Sequence, residues 1–407
     1  MVGLLVCAEK INIIIVMFDH GTNRGAYLAV FIAIAAVLHA CGDKKGVALG
    51  PDLSYHVYPG QDIQQALEAA ARDEHHKSVK VHAGTYRPGR PGQAMIWFNA
   101  RHDGIVLEAV GEVVLTAANT AVADPEAETY PAIVNHVVYM GDGLSRKTVL
   151  RGFKITGANH FVTRSDDPVN IQPHAEEILW KKGMFFYTDG GGIKILGRSY
   201  PTIENVEVYD NYTSPCGGGV SVEHRGFNEE AVLFKNCIFR NNRCQVTGSA
   251  VDVLSGSAAL IENCLFVGNI SNTGVDYIGR RDGYEYNKEH GSGALTVFPN
   301  ARVEVRRCTF TGNWNGIDDK GSGSLYLDTI FWQNTRAGGI APGARYELDI
   351  LEGDGVGGCF INGDIEDLRA TLDPTRNILA APDPDFDHLY RPRNEDYFRV
   401  GYRPVIR

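Results

Sequence analysis

Five segments of this chain repeat nearly the same seven residues, and this repeat limits the possible folds more than any other feature. Each copy has a polar residue first, a small residue second, Val or Phe fourth and Asn seventh. The copies are 205–211, 236–242, 263–269, 307–313 and 328–334, with starts 31, 27, 44 and 21 residues apart. A short extended motif that recurs at such periods is typical of a solenoid.

The order of residues within each copy predicts a half-buried strand, because the second and fourth positions alternate with polar ones. Stacked copies would align these positions in columns about 4.8 Å apart per rung, close enough for an aromatic ladder. Asn tolerates the left-handed conformation and can bond its own backbone, so the seventh position predicts a stacked tight bend. The fourth-position column consists of Val208, Phe239, Phe266, Phe310 and Phe331.

A second apolar strand precedes most copies, at 191–195, 218–222, 249–253 and 293–297, and an earlier rung is visible at 152–158. Coils of short parallel strands without crossover helices predict a β-helix. A helix at Ile63–Arg72 would cover the open edge of the first rung, which a solenoid must protect. The predicted fold class is therefore all-β, a single-stranded parallel β-helix with an N-terminal capping helix.

The N-terminus predicts export. An apolar run at 26–38 follows Arg24 and ends in Leu38-His39-Ala40-Cys41. This segment resembles a bacterial lipoprotein signal, which implies that Cys41 is lipidated, becomes the mature N-terminus and anchors the protein to a membrane. A cleaved secretory signal and a single anchor helix are the alternatives. The predicted organisation is a signal segment at 1–40, a tether at 41–54, the β-helix at 55–365 and a C-terminal cap at 366–407.

Charge and cysteine content limit the partners and the compartment. The formal net charge is −10 over 407 residues, which argues against nucleic acid, because no basic stripe is present to contact phosphates. Three cysteines fall in one inward column of the repeat and are predicted to be buried free thiols. Cys216 and Cys244 lie in corresponding turns of adjacent rungs, where a disulfide would suit a compartment outside the cytoplasm.

The helix, the sequence Val-Lys-Val-His-Ala-Gly-Thr-Tyr at 79–86 and the Asn-closed rungs together resemble the pectin-lyase-like superfamily of right-handed parallel β-helices. Within it, the chain looks most like the exported right-handed β-helix repeat proteins of bacteria. The resemblance covers about residues 55–365 and implies a right-handed coil. Its members include polysaccharide lyases and hydrolases. Of the polygalacturonase patterns, an Asp-Asp pair stands at Asp318-Asp319, but Gly-His-Gly does not occur.

The repeated second strand predicts a candidate site. Its outward residues Lys194, Ser221, Asp252 and Thr296 form a column, and three chemically varied residues follow the strand in one rung. A solvated polar face is the simpler alternative for each of them. The candidate catalytic residues are Lys194, Glu223, His224, Arg225 and Asp252.

Two long loops predict the walls of a cleft over this column. The connection after Asn269 is 25 residues long, against 8 after Asn211 and after Asn242, and a comparable excursion precedes Gly192. Aromatic rings with Arg suit sugars that carry carboxylates or sulfates. Decorative insertions or an oligomer contact are the alternatives. The candidate substrate-binding residues are Trp180 in the first loop and Tyr277, Arg280, Arg281 and Tyr284 in the second.

Two reactions fit these residue types. In β-elimination, Lys194 or His224 would be the base, and Arg225 or a calcium ion held by Glu223 and Asp252 would neutralise the developing charge. In hydrolysis, Glu223 and Asp252 would be the carboxyl pair. We expect a cell-envelope or secreted β-helix protein that binds an acidic polysaccharide, and the sequence leaves open whether it also cleaves it as a lyase. A non-catalytic glycan-binding or adhesion protein and a glycoside hydrolase are the alternatives.

Overall fold

Parallel strands stacked in rungs make up most of the described chain. The computed structural model describes residues 47–121, 124–127, 129–159, 189–213, 216–271, 293–334, 346–363 and 371–405, together with the backbone of 365–367. The predicted signal segment and Cys41 lie outside these ranges. None of the helices within them has the length and apolarity needed to cross a bilayer.

The first sheet contains 17 strands, and every hydrogen-bonded pair of strands within it is parallel. From Val149 onward each rung contributes two consecutive strands to this sheet, separated by a bend. Its strands are β1 (Tyr55–Val57), β2 (Ser78–Tyr86), β4 (Val106–Thr116), β6 (Val149–Arg151), β7 (Lys154–Thr156), β9 (Thr202–Glu204), β10 (Glu207–Tyr209), β13 (Val232–Lys235), β14 (Ile238–Arg240), β17 (Ala258–Glu262), β18 (Leu265–Val267), β20 (Arg302–Arg306), β21 (Thr309–Thr311), β23 (Leu325–Leu327), β24 (Ile330–Trp332), β26 (Val356–Gly357) and β27 (Phe360–Asn362).

The second sheet takes one strand from each rung, so a full rung carries three strands rather than the two that the repeat reveals. Two short strands, β11 (Tyr212–Thr213) and β15 (Arg243–Cys244), pair separately. The second sheet consists of β3 (Gly92–Phe98), β5 (Val134–Met140), β8 (Ile193–Leu196), β12 (Val220–Glu223), β16 (Val251–Val253), β19 (Leu295–Val297), β22 (Ile317–Asp319), β25 (Leu348–Ile350) and β28 (Ile365–Asp367).

The predicted aromatic ladder is confirmed. Ring centroids lie 4.7 Å apart from Phe239 to Phe266, 4.1 Å from Phe266 to Phe310 and 5.2 Å from Phe310 to Phe331. All four side chains are buried in the core. The neighbouring column of small residues holds free thiols, as predicted, and continues into the last rung at Cys359.

The seventh residue of the repeat has a different role from the predicted one. Asn242 and Asn269 are fully buried, and neither has a positive φ. The left-handed conformation falls instead on the residue before, such as Asn241 (φ 54°), and on the first residue of the repeat, such as Asn236 (φ 55°). The prediction was wrong because it assigned to one Asn both the bend and the hydrogen bonds, which the chain divides between neighbours.

The helix that caps the first rung is confirmed as α1 (Ile63–Arg72). Asp62 begins it, since its carboxylate accepts a hydrogen bond from the backbone N of Gln64 at 2.8 Å, which satisfies one of the free N–H groups of the first turn. Ile63, Ala66, Leu67 and Ala70 are buried against the end of the coil.

Both ends of the β-helix pack more extensively than the sequence predicts. Part of the predicted tether is ordered, since Leu49 pairs with Tyr55 in an antiparallel bridge. At the other end, Ile378 bonds the last rung, as a cap would. The chain then runs back along the outside of the coil, where Gly401 and Arg403 bond rungs that lie nearer the N-terminus.

Candidate functional site

The outward residues of the second sheet form a buried polar column. The register aligns Lys194 with Ser221, Ser221 with Asp252, and Asp252 with Thr296, as the repeat predicts. Their strand neighbours, such as Ile193 and Ile195, point into the apolar core. All four column residues are buried, and Lys194 and Asp252 are 0% exposed. The alternative of a solvated polar face was therefore wrong here.

Lys194 and Arg225 share one carboxylate. Nζ of Lys194 lies 2.7 Å from Oε2 of Glu223 and donates to the Ser221 hydroxyl at 3.1 Å, while Nε of Arg225 lies 3.1 Å from Oε1 of Glu223. Burial alone would raise the pKa of Glu223, but the two cations outweigh it and hold that pKa below its usual value. The three charged side chains form a chain of contacts in which Lys194 is fully buried, Glu223 lies between, and Arg225 is partly exposed.

Asp189 is a site residue that the sequence did not reveal. Burial raises its pKa to about 7, against the opposing attraction of Lys194. One carboxyl oxygen accepts a hydrogen bond from the backbone N of Cys216 at 3.2 Å. The only sequence signal for Asp189 is its position just before the three glycines at 190–192 that lead into β8. A carboxyl with a pKa near neutrality can exchange a proton at physiological pH, as a general acid or base must.

Asp252 stands in the same region as a second carboxyl with a raised pKa. Burial, reinforced by the charge of Asp189, raises the pKa of Asp252 well above its usual range. The hydroxyl of Thr247 donates to Oδ2 at 3.0 Å, and the thiol of Cys216 also contacts this carboxyl. A protonated Asp252 carries a hydrogen that it can donate.

His224 does not join this cluster. Its Nε2 donates to the carbonyl of Ser199 at 3.0 Å, and its Nδ1 accepts from the backbone N of Ala258 at 3.2 Å. Burial lowers the pKa of His224 to about 4. The proposed role of base was wrong in this structure, because both ring nitrogens are already used to join the turns of adjacent rungs.

The proposed calcium ligands do not form an open ligand set. Both carboxyl oxygens of Glu223 face cations, and Asp252 is aligned with a different position of β12. Calcium usually takes six to eight oxygen ligands. Within the described ranges, no group of three or more His, Cys, Asp or Glu side chains is arranged to hold a metal ion.

The polar column continues into a second acidic stretch. Asp318 on β22 aligns with Asp349 on β25, and Nζ of Lys320 lies 2.7 Å from Asp349 Oδ1 and 3.6 Å from Asp318 Oδ1. The hydroxyl of Tyr346 donates to Asp318 at 2.8 Å. The sequence identified only the Asp318-Asp319 pair, because Asp349 follows a long insertion that hides its place in the repeat.

The disulfide that the sequence left open between Cys216 and Cys244 is not formed. Cys216 and Cys244 are both buried free thiols. The register of β11 and β15 aligns Cys244 with Thr213, so Cys216 lies three residues out of step with it. The two turns have similar sequences, but their cysteines do not occupy equivalent positions.

Comparison with known proteins identifies the scaffold. A family model described as a right handed beta helix region matches residues 146–288. This region includes Asp189, Lys194, Glu223, Arg225 and Asp252, so the whole cluster lies in right-handed β-helix rungs.

Two further comparisons concern the whole chain. The crystal structure of pectate lyase Pel9A is similar to this β-helix, with 14% sequence identity, a TM-score of 0.43 and 83% of each chain covered. A likeness at this level carries no argument about activity. No curated protein matches the chain significantly.

The structure brings together four of the five candidate catalytic residues in this β-helix, namely Lys194, Glu223, Arg225 and Asp252, and adds Asp189 to them. The candidate substrate-binding residues Trp180, Tyr277, Arg280, Arg281 and Tyr284 lie outside the described ranges.

Proposed function

We propose that this β-helix protein binds an acidic polysaccharide at the polar column and cleaves it by β-elimination. The single observation that carries the proposal is the juxtaposition of Asp189, whose pKa is about 7, with the Lys194–Glu223–Arg225 charge cluster. Elimination needs a base that is active near neutral pH and a cation beside the substrate carboxylate. These side chains supply both.

Each group would have one role in the reaction. The partly exposed Arg225 would hold the uronate carboxylate, and Lys194 would keep Glu223, and through it Arg225, in place. The ionised Asp189 would remove the proton from the adjacent carbon. The electrons of that C–H bond form the new double bond as the bond to the leaving oxygen breaks. A water molecule would return a proton to that oxygen, so that atoms and charges balance.

Hydrolysis is the second candidate, and one observation favours it. The environments of Glu223 and Asp252 shift their pKa values in opposite directions, downward for Glu223 and upward for Asp252. Paired carboxyls that differ in this way are typical of glycoside hydrolases, where one donates a proton and the other stays ionised. Elimination is preferred because both oxygens of Glu223 are bound by cations, which leaves it a poor base.

The test uses a panel of uronate-containing polysaccharides, with and without calcium. Elimination predicts ultraviolet absorbance from the unsaturated product together with new reducing ends, and hydrolysis predicts reducing ends alone. Asp189→Asn should abolish product formation. The exposed Asp385→Asn is a matched control, since its carboxyl pairs with the exposed Arg393 at 3.7 Å.

Two other outcomes would reject the enzymatic proposal. Glycan binding without product would identify a non-catalytic binding protein, which the complete burial of Lys194 and Asp252 favours. No product and no binding across the panel would reject any action on these polysaccharides.

We also propose that the protein is anchored to the cell envelope through a lipid on Cys41, with secretion as the alternative. The apolar run at 26–38 and the Leu-His-Ala-Cys ending support this. Metabolic labelling with a radioactive fatty acid should mark the wild-type protein and leave Cys41→Ala unlabelled. Equal labelling of both would reject the anchor.

A further inference from the structure

Two histidines on the outside of the first rungs direct ring nitrogens at each other. His56 lies on β1 and His82 on β2, and Nδ1 of His56 is 2.8 Å from Nε2 of His82. Their rings are 5.1 Å apart at 23°. Both are partly exposed on the outer face of the coil, far along the chain from the polar column.

A carboxylate fixes the orientation of the first ring. Nε2 of His56 lies 2.8 Å from Oδ1 of Asp52, and Oδ2 of Asp52 accepts from Nζ of Lys80 at 2.7 Å. Because a carboxylate oxygen accepts, the 2.8 Å contact places a hydrogen on Nε2 of His56, which leaves Nδ1 to present its lone pair.

The second ring is also held. His82 stacks on Tyr58 with centroids 4.2 Å apart and planes within 5°. When His82 carries its hydrogen on Nδ1, two lone pairs face the same point.

We propose that Nδ1 of His56 and Nε2 of His82 bind one divalent transition-metal ion, such as Zn²⁺, Cu²⁺ or Ni²⁺. Neutral imidazole prefers these ions to calcium or magnesium. Two nitrogens on a tetrahedral zinc ion lie about 3.3 Å apart, so the rings need to separate by only about half an ångström. Asp52 would be the outer carboxylate that commonly orients a metal-binding histidine.

The local charges are compatible with a bound cation. Lys80 is the nearest cationic side chain that contacts the group, and Asp52 neutralises it at 2.7 Å. Because no set of three protein ligands exists within the described ranges, water would complete the coordination and leave the ion accessible from solvent. This site does not depend on the proposed polysaccharide chemistry.

The test is metal titration of the full chain by calorimetry after removal of bound metal with a chelator, using Zn²⁺, Cu²⁺ and Ni²⁺ separately. We expect one specific ion per chain. His82→Phe should abolish that binding while keeping the stack on Tyr58, and Asp52→Asn should weaken it about tenfold. His75→Ala is the matched control, since His75 lies outside the pair and should leave binding unchanged.

A spectroscopic measurement keeps the test independent of folding. The paramagnetic resonance spectrum of bound Cu²⁺ should show two nitrogen ligands in the wild type and in His75→Ala. An unchanged thermal midpoint in His82→Phe would establish that this variant is folded. Absence of specific binding in the wild type, or equal binding by wild type and a folded His82→Phe, would overturn the proposal.

Discussion

Asn242 donates two hydrogen bonds to one oxygen of Asn269, from its backbone N at 3.0 Å and from its Nδ2 at 3.1 Å. The same paired contact joins Asn269 to Asn313, so a continuous line of amides runs through the coil. The line ends at Glu347, which accepts from Asn334. Each Asn thus satisfies the backbone of one neighbouring rung and is satisfied by the next.

Replacing one Asn in this line should strongly destabilise the fold. Asn269→Ala removes the acceptor for two buried donors of Asn242 and a donor to the carbonyl of Phe239. Buried polar groups left without partners cost about 1–3 kcal/mol each, so we expect the free energy of unfolding to fall by roughly 3 kcal/mol. Denaturant unfolding measures this. Asn228→Ala, in a loop outside the line, should change little, and equal effects would contradict this account.

The aromatic ladder should tolerate a change of shape better than a loss of volume. Phe266 has ring neighbours on both sides, at 4.7 and 4.1 Å. Phe266→Ala should lower the free energy of unfolding by about 3–5 kcal/mol, because it leaves a cavity. Phe266→Leu should cost clearly less. Phe398→Ala is the control, since Phe398 is 76% exposed, and its unfolding midpoint should match the wild type.

Variants of the buried Lys194–Glu223 ion pair should distinguish its effect on stability from its effect on activity. Lys194→Met leaves Glu223 with Arg225 as its remaining cation, and breaking a buried pair costs about 3–5 kcal/mol. Lys194→Met combined with Glu223→Gln removes the uncompensated charge and should recover much of that loss. If the proposed function holds, both variants lack activity. A double variant no more stable than the single one would show that the pair is not the source of the effect.

The raised pKa of Asp189 makes stability depend on pH. In the folded protein its pKa is about 7, above the unfolded value of 3.8. Between these values the folded state binds the proton and the unfolded state does not, so stability should fall as pH rises from about 4 to 7 and then level off. Asp189→Asn should have a flatter profile. Unfolding midpoints measured across this range test the prediction, and identical slopes in both proteins would refute it.

The side chain of Asn263 holds the C-terminal segment to the coil through two hydrogen bonds to the backbone of Arg403. Asn263 accepts from the backbone N of Arg403 at 2.7 Å and donates to its carbonyl at 2.8 Å. Asn263→Ala should loosen this segment, so that trypsin cleaves after Arg399 faster than in the wild type. Asn228→Ala serves again as the control. Unchanged cleavage would mean that other contacts of Tyr402 and Tyr397 hold the segment alone.

The repeat predicted the strands of each rung well, because the residues that form one strand and its bend are neighbours in the sequence. Short sequence patterns within single rungs were enough to predict three features. These are the helix at Ile63–Arg72, the aromatic ladder from Phe239 to Phe331, and the alignment of Lys194 with Asp252. The third strand of each rung, at 232–235 for example, was missed because its sequence does not repeat clearly. The last rung carries Gly-Cys-Phe-Ile-Asn-Gly at 358–363, a weak copy that closer reading of the repeat would have found.

The site was less predictable. The sequence placed His224 and Asp252 near one another, but it could not show that the backbone uses both nitrogens of His224. It did not identify Asp189, whose unusual pKa arises from burial. The pKa of a side chain depends on its burial and on the charges and hydrogen-bond donors around it, and these groups come from several rungs.

The sequence by itself determined that this chain coils into stacked parallel strands, because the alternation of apolar residues and the bend-forming residues act within a single rung. Only the tertiary structure decided which polar groups meet. Asp189, Lys194 and Glu223 are joined through register between rungs and through exclusion of water. Those conditions turn an ordinary polar column into a charged, buried cluster, and no pattern within one rung encodes them.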